Sequence, residues 1–439
     1  MTPLEESLQR ALAAGVAGGP DWLREVRDRG AKGFRAAGLP HGKLEDWRFT
    51  SLQGLAPRAL VRAGDAAGGD GAGLLASAGI PDGEPRLVLV NGRLSEGLSR
   101  LGALPAGVVA TSLARAWAER PELVRGRLGR HADVERHAFG ALNTALMEDG
   151  VLLHVPAGVA IDAPIHLVLL GDSPGAAVMS HPRVLVVAGE GARFAVAEHW
   201  LGARDGLSVA NGVTELLLAD GAEVEHYTLQ DLGPAAFHFG AIFAEQGARS
   251  KLRLHGVYVG AQLSRTEIHA RLAGEGSSID LGGLAMLSGE QLSDVHSVVE
   301  HAVAKCATAE SYKAILDGRS RGVFAGRIRV LPGAQKTQAY QQSSSLLLSD
   351  DAVVDTMPQL EIFADDVKCG HGGAVGQLDA GALFYLRARG IDEETARGLL
   401  IYAFAAETVD RIGPASLRAR ARALVAARLP GGAKALEGA

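Results

Sequence analysis

From Asp149 to about residue 378 the sequence breaks into short runs of alternating apolar and polar residues, closed by Gly-Ala or Asp-Gly turns. Val184-Leu-Val-Val-Ala, Thr214-Glu-Leu-Leu-Leu and Lys251-Leu-Arg-Leu-His-Gly-Val-Tyr-Val are examples. A period of two places one row of side chains in a core and the other outside it. The turn glycines Gly191, Gly221, Gly247 and Gly276 are separated by 30, 26 and 29 residues, and Gly333 follows 57 later, about two further steps. A loose repeat of this size, made of short strands, predicts a stacked β-solenoid in which each coil buries its inward row against its neighbours. A β-sandwich is the rival, but it would space its turns more closely and evenly. No long helix intervenes between 150 and 378, which disfavours a βαβ fold. Glycine numbers 57 of 439 residues and aromatics are only 5%, a composition suited to many turns rather than to a large aromatic core.

The flanks read differently. Residues 1–148 are expected to form a mostly helical N-terminal region, 149–378 the β core, and 379–439 a C-terminal helical domain. Leu4, Leu8, Ala11 and Leu12 have helical spacing, and a second helix opens after Pro20. Trp47 and Phe49 read as packing residues. Residues 64–82, rich in Gly, Ala and Asp, read as a flexible connection. Arg86-Leu-Val-Leu-Val-Asn-Gly-Arg-Leu reads as a strand and turn, and residues 109–148 as a return to helix. Beyond the core, Ala382–Gly390 is a helix closed by glycine, and Asp392 caps a helix over Glu393–Ile412. Pro414 starts a last, Arg-rich helix, and Pro430–Ala439 is a tail expected to fray.

A net charge of −6 and the absence of a basic run argue against nucleic acid as the partner. Two cysteines, Cys306 and Cys369, make no disulfide framework and point to free thiols in a reducing compartment. The first residues are acidic and carry no secretory pattern, and no apolar stretch reaches the length of a membrane span. The expectation is a soluble, cytoplasmic protein without membrane contact. H-E-x-x-H, G-x-S-x-G, G-x-x-x-x-G-K-[ST] and C-x-x-C are all missing, so no catalytic residue is assigned and the chain does not read as an enzyme by itself.

The candidate for chemistry is Asp365-Asp-Val-Lys-Cys-Gly-His-Gly-Gly-Ala-Val-Gly376. In an extended segment Cys369 and His371 face the same way. Thiolate and imidazole are ligands for iron–sulfur species or zinc, but two of them leave a tetrahedral site incomplete. Asp365 shares their parity and is a distant third donor. By spacing alone a buried cysteine beside an exposed histidine is an equally open reading. Asp294, His296, Glu300 and His301 form a second carboxylate–imidazole group. A site of His296, His301, Cys369 and His371 would suit a stand-alone metal-binding enzyme on a β-helix. His226, His238, His255, His269, His296 and His301 are expected mostly on outward polar rows, and Cys306 as a packing residue.

Ile315-Leu-Asp-Gly-Arg-Ser-Arg-Gly-Val-Phe-Ala-Gly-Arg-Ile, Ala334-Gln-Lys-Thr-Gln-Ala-Tyr-Gln-Gln-Ser and Pro358-Gln-Leu-Glu-Ile-Phe-Ala-Asp-Asp-Val-Lys-Cys-Gly-His-Gly carry a resemblance. So do Lys43-Leu-Glu-Asp-Trp-Arg-Phe-Thr, Ala141-Leu-Asn-Thr-Ala and Gly390-Ile-Asp-Glu-Glu-Thr-Ala-Arg. In these stretches the chain resembles the SufB/SufD family of iron–sulfur cluster assembly scaffolds, most of all its SufD branch. Gly370 and Gly373 stand where many relatives have hydroxyl residues. The resemblance implies a right-handed parallel β-helix between helical regions. It implies a scaffold complex with SufB and the ATPase SufC, the latter held by helices of about 380–428, and a possible homodimer when alone. It places Cys369 and His371 at a SufB–SufD junction, where a transient iron–sulfur cluster would be shared. No cofactor is expected to stay tightly bound to the isolated chain.

Overall fold

The computed structural model describes residues 1–63, 71–132, 134–172, 175, 177–204 and 206–432. The chain opens with α1 (Pro3–Ala14) and α2 (Asp21–Ala37). The Thr2 side chain accepts from the Glu5 amide while the Glu5 carboxylate accepts from the Thr2 amide, so two donors left free at a helix start are satisfied together. Next come β1 (Val61–Arg62), α3 (Ala72–Ser77), β2 (Arg86–Val90), β3 (Arg93–Leu94), β4 (Val109–Ser112), α4 (Leu113–Glu119), α5 (Pro121–Val124) and α6 (Ala138–Leu146). The β2–β3 hairpin turns at Asn91 and Gly92, with φ of 51° and 87°, the left-handed pair that a tight two-residue turn requires.

The strands that follow are β5 (Gly150–Val155), β6 (Ile165–Gly171), β7 (Val178–Ser180), β8 (Arg183–Ala188), β9 (Arg193–Gly202), β10 (Ser208–Leu218) and β11 (Glu223–Asp231). They continue as β12 (Phe237–Gln246), β13 (Lys251–Tyr258), β14 (Leu263–Leu272), β15 (Ser278–Leu287) and β16 (Leu292–His301). The last are β17 (Ala307–Leu316), β18 (Arg321–Val330), β19 (Gln338–Leu347), β20 (Val353–Ile362) and β21 (Lys368–Gly376). From β8 onward the even-numbered strands stack in parallel as one sheet and the odd-numbered strands as another. Each coil gives one strand to each sheet, which is the predicted parallel β-solenoid. The chain then closes with α7 (Ala380–Arg387), α8 (Glu393–Val409) and α9 (Ala415–Ala426).

One corner explains both the repeat and its irregularity. The residue at positive φ there is Gly158, Gly191, Gly221, Arg249, Gly276, Lys305 and Lys336 in successive coils. Their amides bond carbonyls of the next coil, from Gly158 to Glu190 (2.7 Å) through to Lys336 to Asp366 (2.6 Å). Three of these turning residues are not glycine, so glycine spacing alone sees only part of the corner. Gly247 does not turn the chain. A side chain there would come within 2.6 Å of the Asp220 carboxylate and 2.8 Å of its amide nitrogen, so a close approach of coils keeps it small.

Inside the solenoid the rows are continuous. Leu153, Val186, Leu216, Ala244, Ala270, Val299, Ile328 and Leu360 lie in register down the even sheet and belong to one core. Helix α1, helix α6 and Trp47 cover the outer face of the even sheet, against Phe237, Phe239 and Leu263. Phe139 stacks on Phe239 with ring centroids 3.6 Å apart, and Phe49 is half-buried. Arg183 and Glu215, both fully buried, pair at 2.6 Å, and Arg183 also donates to Asn143 and Thr144 of α6. Helices α8 and α9 cover the odd sheet, with Ile401, Ala405, Val409 and Leu417 against Tyr227, Val257, Leu284 and Met286.

Several expectations change. The stretch 64–82 is not one flexible connection: α3 occupies Ala72–Ser77, while 64–70 lie outside the described residues. The sheets begin before residue 149, because β2 pairs in parallel with β6 and β4 antiparallel with β5. The helix expected from Glu393 ends at Val409, and of the tail 433–439 lie outside the described residues. His226, His238, His255 and His301 are buried rather than outward. Most sit on inward rows or under helices, where a ring that finds a partner packs like any large side chain.

Candidate functional site

The solenoid ends at β20 and β21. Among the described residues each pairs on one edge only, β20 with β18 and β21 with β19. A row of backbone donors and acceptors on each strand is therefore unpaired. Apolar side chains surround it: Tyr340, Phe363 and Val375 are 54%, 57% and 56% exposed. Patches of this kind mark surfaces that meet another chain.

Cys369 and His371 lie on β21, in register with Ala339 and Gln341 of β19. They continue two inward rows. The Cys369 row runs back through Ala339, Thr308 and Ile279, the His371 row through Gln341, Glu310 and Leu281. Cys369 is half-buried and packs against the core, whereas His371 is exposed because no coil lies over it. Burial pushes the Cys369 thiol above its ordinary pKa, with a backbone hydrogen bond at Ala339 working the other way. At neutral pH it is a thiol until a cation draws its proton off.

Beneath these two residues the core turns polar. Gln341 Nε2 donates to Glu310 Oε2 at 2.6 Å, and the Ser297 hydroxyl donates to Glu310 Oε1. Glu310 is buried with no cation beside it, and desolvation pushes its pKa up to about 7 against the two hydrogen bonds. His301 Nε2 meets Thr308 Oγ1 at 2.8 Å, and burial pushes its pKa down to about 4. Gly326 on the facing sheet makes room, since a Cβ there would sit 1.8 Å from Gln341 Nε2. Gln341 Oε1 and His301 Nδ1 are buried without a partner. The arrangement can present a soft ligand and an imidazole at an open edge, backed by a carboxyl that titrates near neutrality.

Two family models match the chain. That of the SufBD core domain of SUF-system FeS cluster assembly covers residues 170–404, and that of the SufBD N-terminal region covers 83–167. The chain belongs to the SufBD family. It is 34% identical over 403 residues to the iron–sulfur cluster assembly SufBD family protein slr0076 of Synechocystis, spanning 89% of this chain and 87% of the relative. It is 30% identical over 406 residues to the iron–sulfur cluster assembly protein SufD of Escherichia coli, spanning 90% and 91%. Bacillus subtilis SufD is 28% identical over 312 residues, spanning 70% of each. The SufBD core model thus runs past the last coil into α8, and the N-terminal model takes in β2 to β6, where the sheets begin.

For a SufBD chain the other sequence candidates fall apart geometrically. Asp365 lies exposed in the turn before β21. His296 and His301 are five residues apart on one strand and face opposite ways. His296 Nε2 lies 3.0 Å from Asp294 Oδ1, while His301 bonds Thr308 inside the coil. The four-residue site of a stand-alone metal enzyme is not assembled. Cys306 is buried at a corner, 3.4 Å from the Ser277 hydroxyl, and both thiols are free. Glu310, Gln341 and Ser297 were missed by sequence reading. The signal lay in the 31-residue offset between Glu310 and Gln341, which only the register supplies.

Among the described residues no helix is long and apolar enough to cross a membrane.

Proposed function

We propose that the chain is a SufD-type scaffold subunit of the SUF system, not an enzyme by itself. It presents Cys369 and His371 to a SufB-like subunit seated on its open solenoid end. The observation that carries this reading is that both side chains lie on the last strand, whose outer edge has no partner among the described residues. Two ligands do not complete a cluster site, and a second chain docked edge to edge would bring the rest. The iron–sulfur cluster is then cargo shared across the junction and released, and the isolated chain keeps none of it tightly. The same edge supports pairing of two copies when no SufB-like chain is present. A cytoplasmic setting, with its reduced thiols, fits two unpaired cysteines.

A SufC-like ATPase is proposed to dock on the C-terminal helices, through α7. Helices α8 and α9 are engaged with the solenoid: Arg420 and Arg428 reach Asp231, and Arg411 reaches Asp280. Helix α7 buries no residue and leaves Phe384 and Tyr385 75% and 55% exposed. Two exposed aromatic side chains are the anchors that protein interfaces favour. Phe384→Ser with Tyr385→Ser is expected to abolish co-purification with the ATPase and leave the fold intact. Full retention of the ATPase by this folded variant would overturn the docking assignment. Deleting all of 380–428 would strip the odd sheet of its cover and test less.

A further inference from the structure

We propose that His137, Glu267 and His269 form a binding site for a divalent transition-metal ion on the outer face of the even sheet. Glu267 and His269 alternate on β14 and therefore project from the same face. His137 lies just before α6 and is laid over them. One ligand atom from each of the three lies within 4.8 Å of the others. His137 Nδ1 is 2.7 Å from Glu267 Oε2, and the two imidazole centroids are 4.0 Å apart. In a tetrahedral site with bonds near 2.1 Å, neighbouring ligand atoms stand about 3.4 Å apart. Side-chain adjustments of under an ångström or so separate the present arrangement from that geometry.

A second observation is independent of this convergence. Among the described residues His269 Nε2 is buried and has no hydrogen-bond partner, a costly state for a polar atom. Phe243 stacks on the His269 ring, with centroids 5.3 Å apart, and fixes its plane. Arg265 Nε donates to Glu267 Oε1 at 2.9 Å, so the carboxylate is oriented from behind while Oε2 stays directed at His137. Such an outer hydrogen bond is what steadies a ligating carboxylate. Arg265 also pairs with Asp294. Glu267, Asp294 and Arg265 together carry one net negative charge.

A cavity of about 380 Å³ opens on the three residues, bordered also by His296, Arg327 and Met357. It leaves room for water or another small ligand at the remaining coordination positions. Two imidazoles and one carboxylate with open positions suit zinc, iron(II) or cobalt(II) and do not suit magnesium or calcium. This site lies on the opposite sheet from Cys369 and does not depend on the reading of the terminal coil.

The test uses the full chain with Cys369→Ala and His371→Ala, so that no ligand of the last coil contributes, and cobalt(II) alone as the probe. One equivalent per chain is expected, with visible d–d absorption and no thiolate charge-transfer band, displaced by zinc. Outer-shell changes cost about 10–100-fold in metal affinity. His137→Gln and Glu267→Gln, each checked for an unchanged circular dichroism spectrum, are therefore expected to weaken binding by more than about 100-fold. His137→Gln keeps the proposal testable if the Glu267 variant fails to fold, because the side chain lies on the covering segment rather than in the sheet. Absence of binding by the folded chain, or binding that survives both substitutions, would overturn the site. Either result leaves the role of Cys369 and His371 untouched.

Discussion

The two ends of the solenoid interior hold one buried carboxylate each, and they are treated oppositely. In the early coils Glu198 accepts from Thr214, from Trp200 and from His226 Nε2, at 2.5, 3.0 and 3.0 Å. Burial alone would raise its pKa, but His226 and the three hydrogen bonds outweigh that and hold it below the ordinary value. In the late coils Glu310 has only the Ser297 hydroxyl and the Gln341 amide, and its pKa is pushed up to about 7. Apolar residues separate the two groups: Leu252, Leu254, Ile279 and Leu281 fill the rows between them. The early end is closed by β2 and β4, with Leu87 and Leu89 completing the core. Among the described residues nothing closes the late end. A solenoid must end its stack somewhere. Here one end is finished by the chain's own strands, and the other is left with an unpaired edge and a weakly satisfied polar row.

That contrast can be broken at the closed end first. Arg183→Met removes the cation from a fully buried pair and strands Glu215. A loss of about 3–5 kcal/mol of unfolding free energy is expected, read by denaturant titration. Assembly with a partner by whatever chain remains folded should be unchanged. A loss below about 1 kcal/mol would mean that the pair does not hold α6 to the sheet.

The open end is sharpened by pH. The Glu310 carboxyl has a higher pKa folded than its ordinary 4.5. The folded state therefore binds the proton more tightly, and the contribution to stability is full below about pH 4.5. It is lost as pH rises through about 7, by about 3 kcal/mol in all. Glu310→Gln keeps both hydrogen-bond partners and removes the titration. The difference in stability between wild type and variant should move in the variant's favour by that amount between pH 4.5 and 7.5. A flat difference would show Glu310 ionised and compensated like Glu198.

The smallest effect on stability is expected on the exposed rim. Val375→Asp should change unfolding free energy by no more than about 0.5 kcal/mol, yet prevent edge-to-edge pairing with a SufB-like chain or a second copy. Size-exclusion chromatography with light scattering reads both outcomes. Unimpaired pairing would remove the rim from the interface.

How much of this the sequence carried follows from what is local. The alternation of β10, β11 and β13 is local, and so is the parity that puts Cys369 and His371 on one side. Both were legible, as were the caps at Asp392 and the hairpin at Asn91-Gly92. Register is not local. Coil offsets vary from 26 residues between Phe237 and Leu263 to 33 between Gly150 and Arg183, so nothing in the sequence places Gln341 over Glu310. The corner was half-legible because Arg249, Lys305 and Lys336 turn the chain without being glycine. The histidines were misplaced because a polar residue on an alternating strand looks outward until its buried partner is known. His226 found Glu198 and His301 found Thr308. The pair His137 and Glu267 lies 130 residues apart, beyond any spacing rule.

The central claim is that Cys369 and His371 act only across a junction with a second chain. Anaerobic reconstitution with SufB-like and SufC-like partners tests it most directly, comparing cluster yield by absorption and by iron and sulfide content for wild type, Cys369→Ala and His371→Ala. Assembly of all three complexes should be equal. The account predicts that the His371→Ala complex forms normally but accumulates at least about tenfold less cluster, with Cys369→Ala also reduced. Wild-type cluster yield in both intact variant complexes would contradict it.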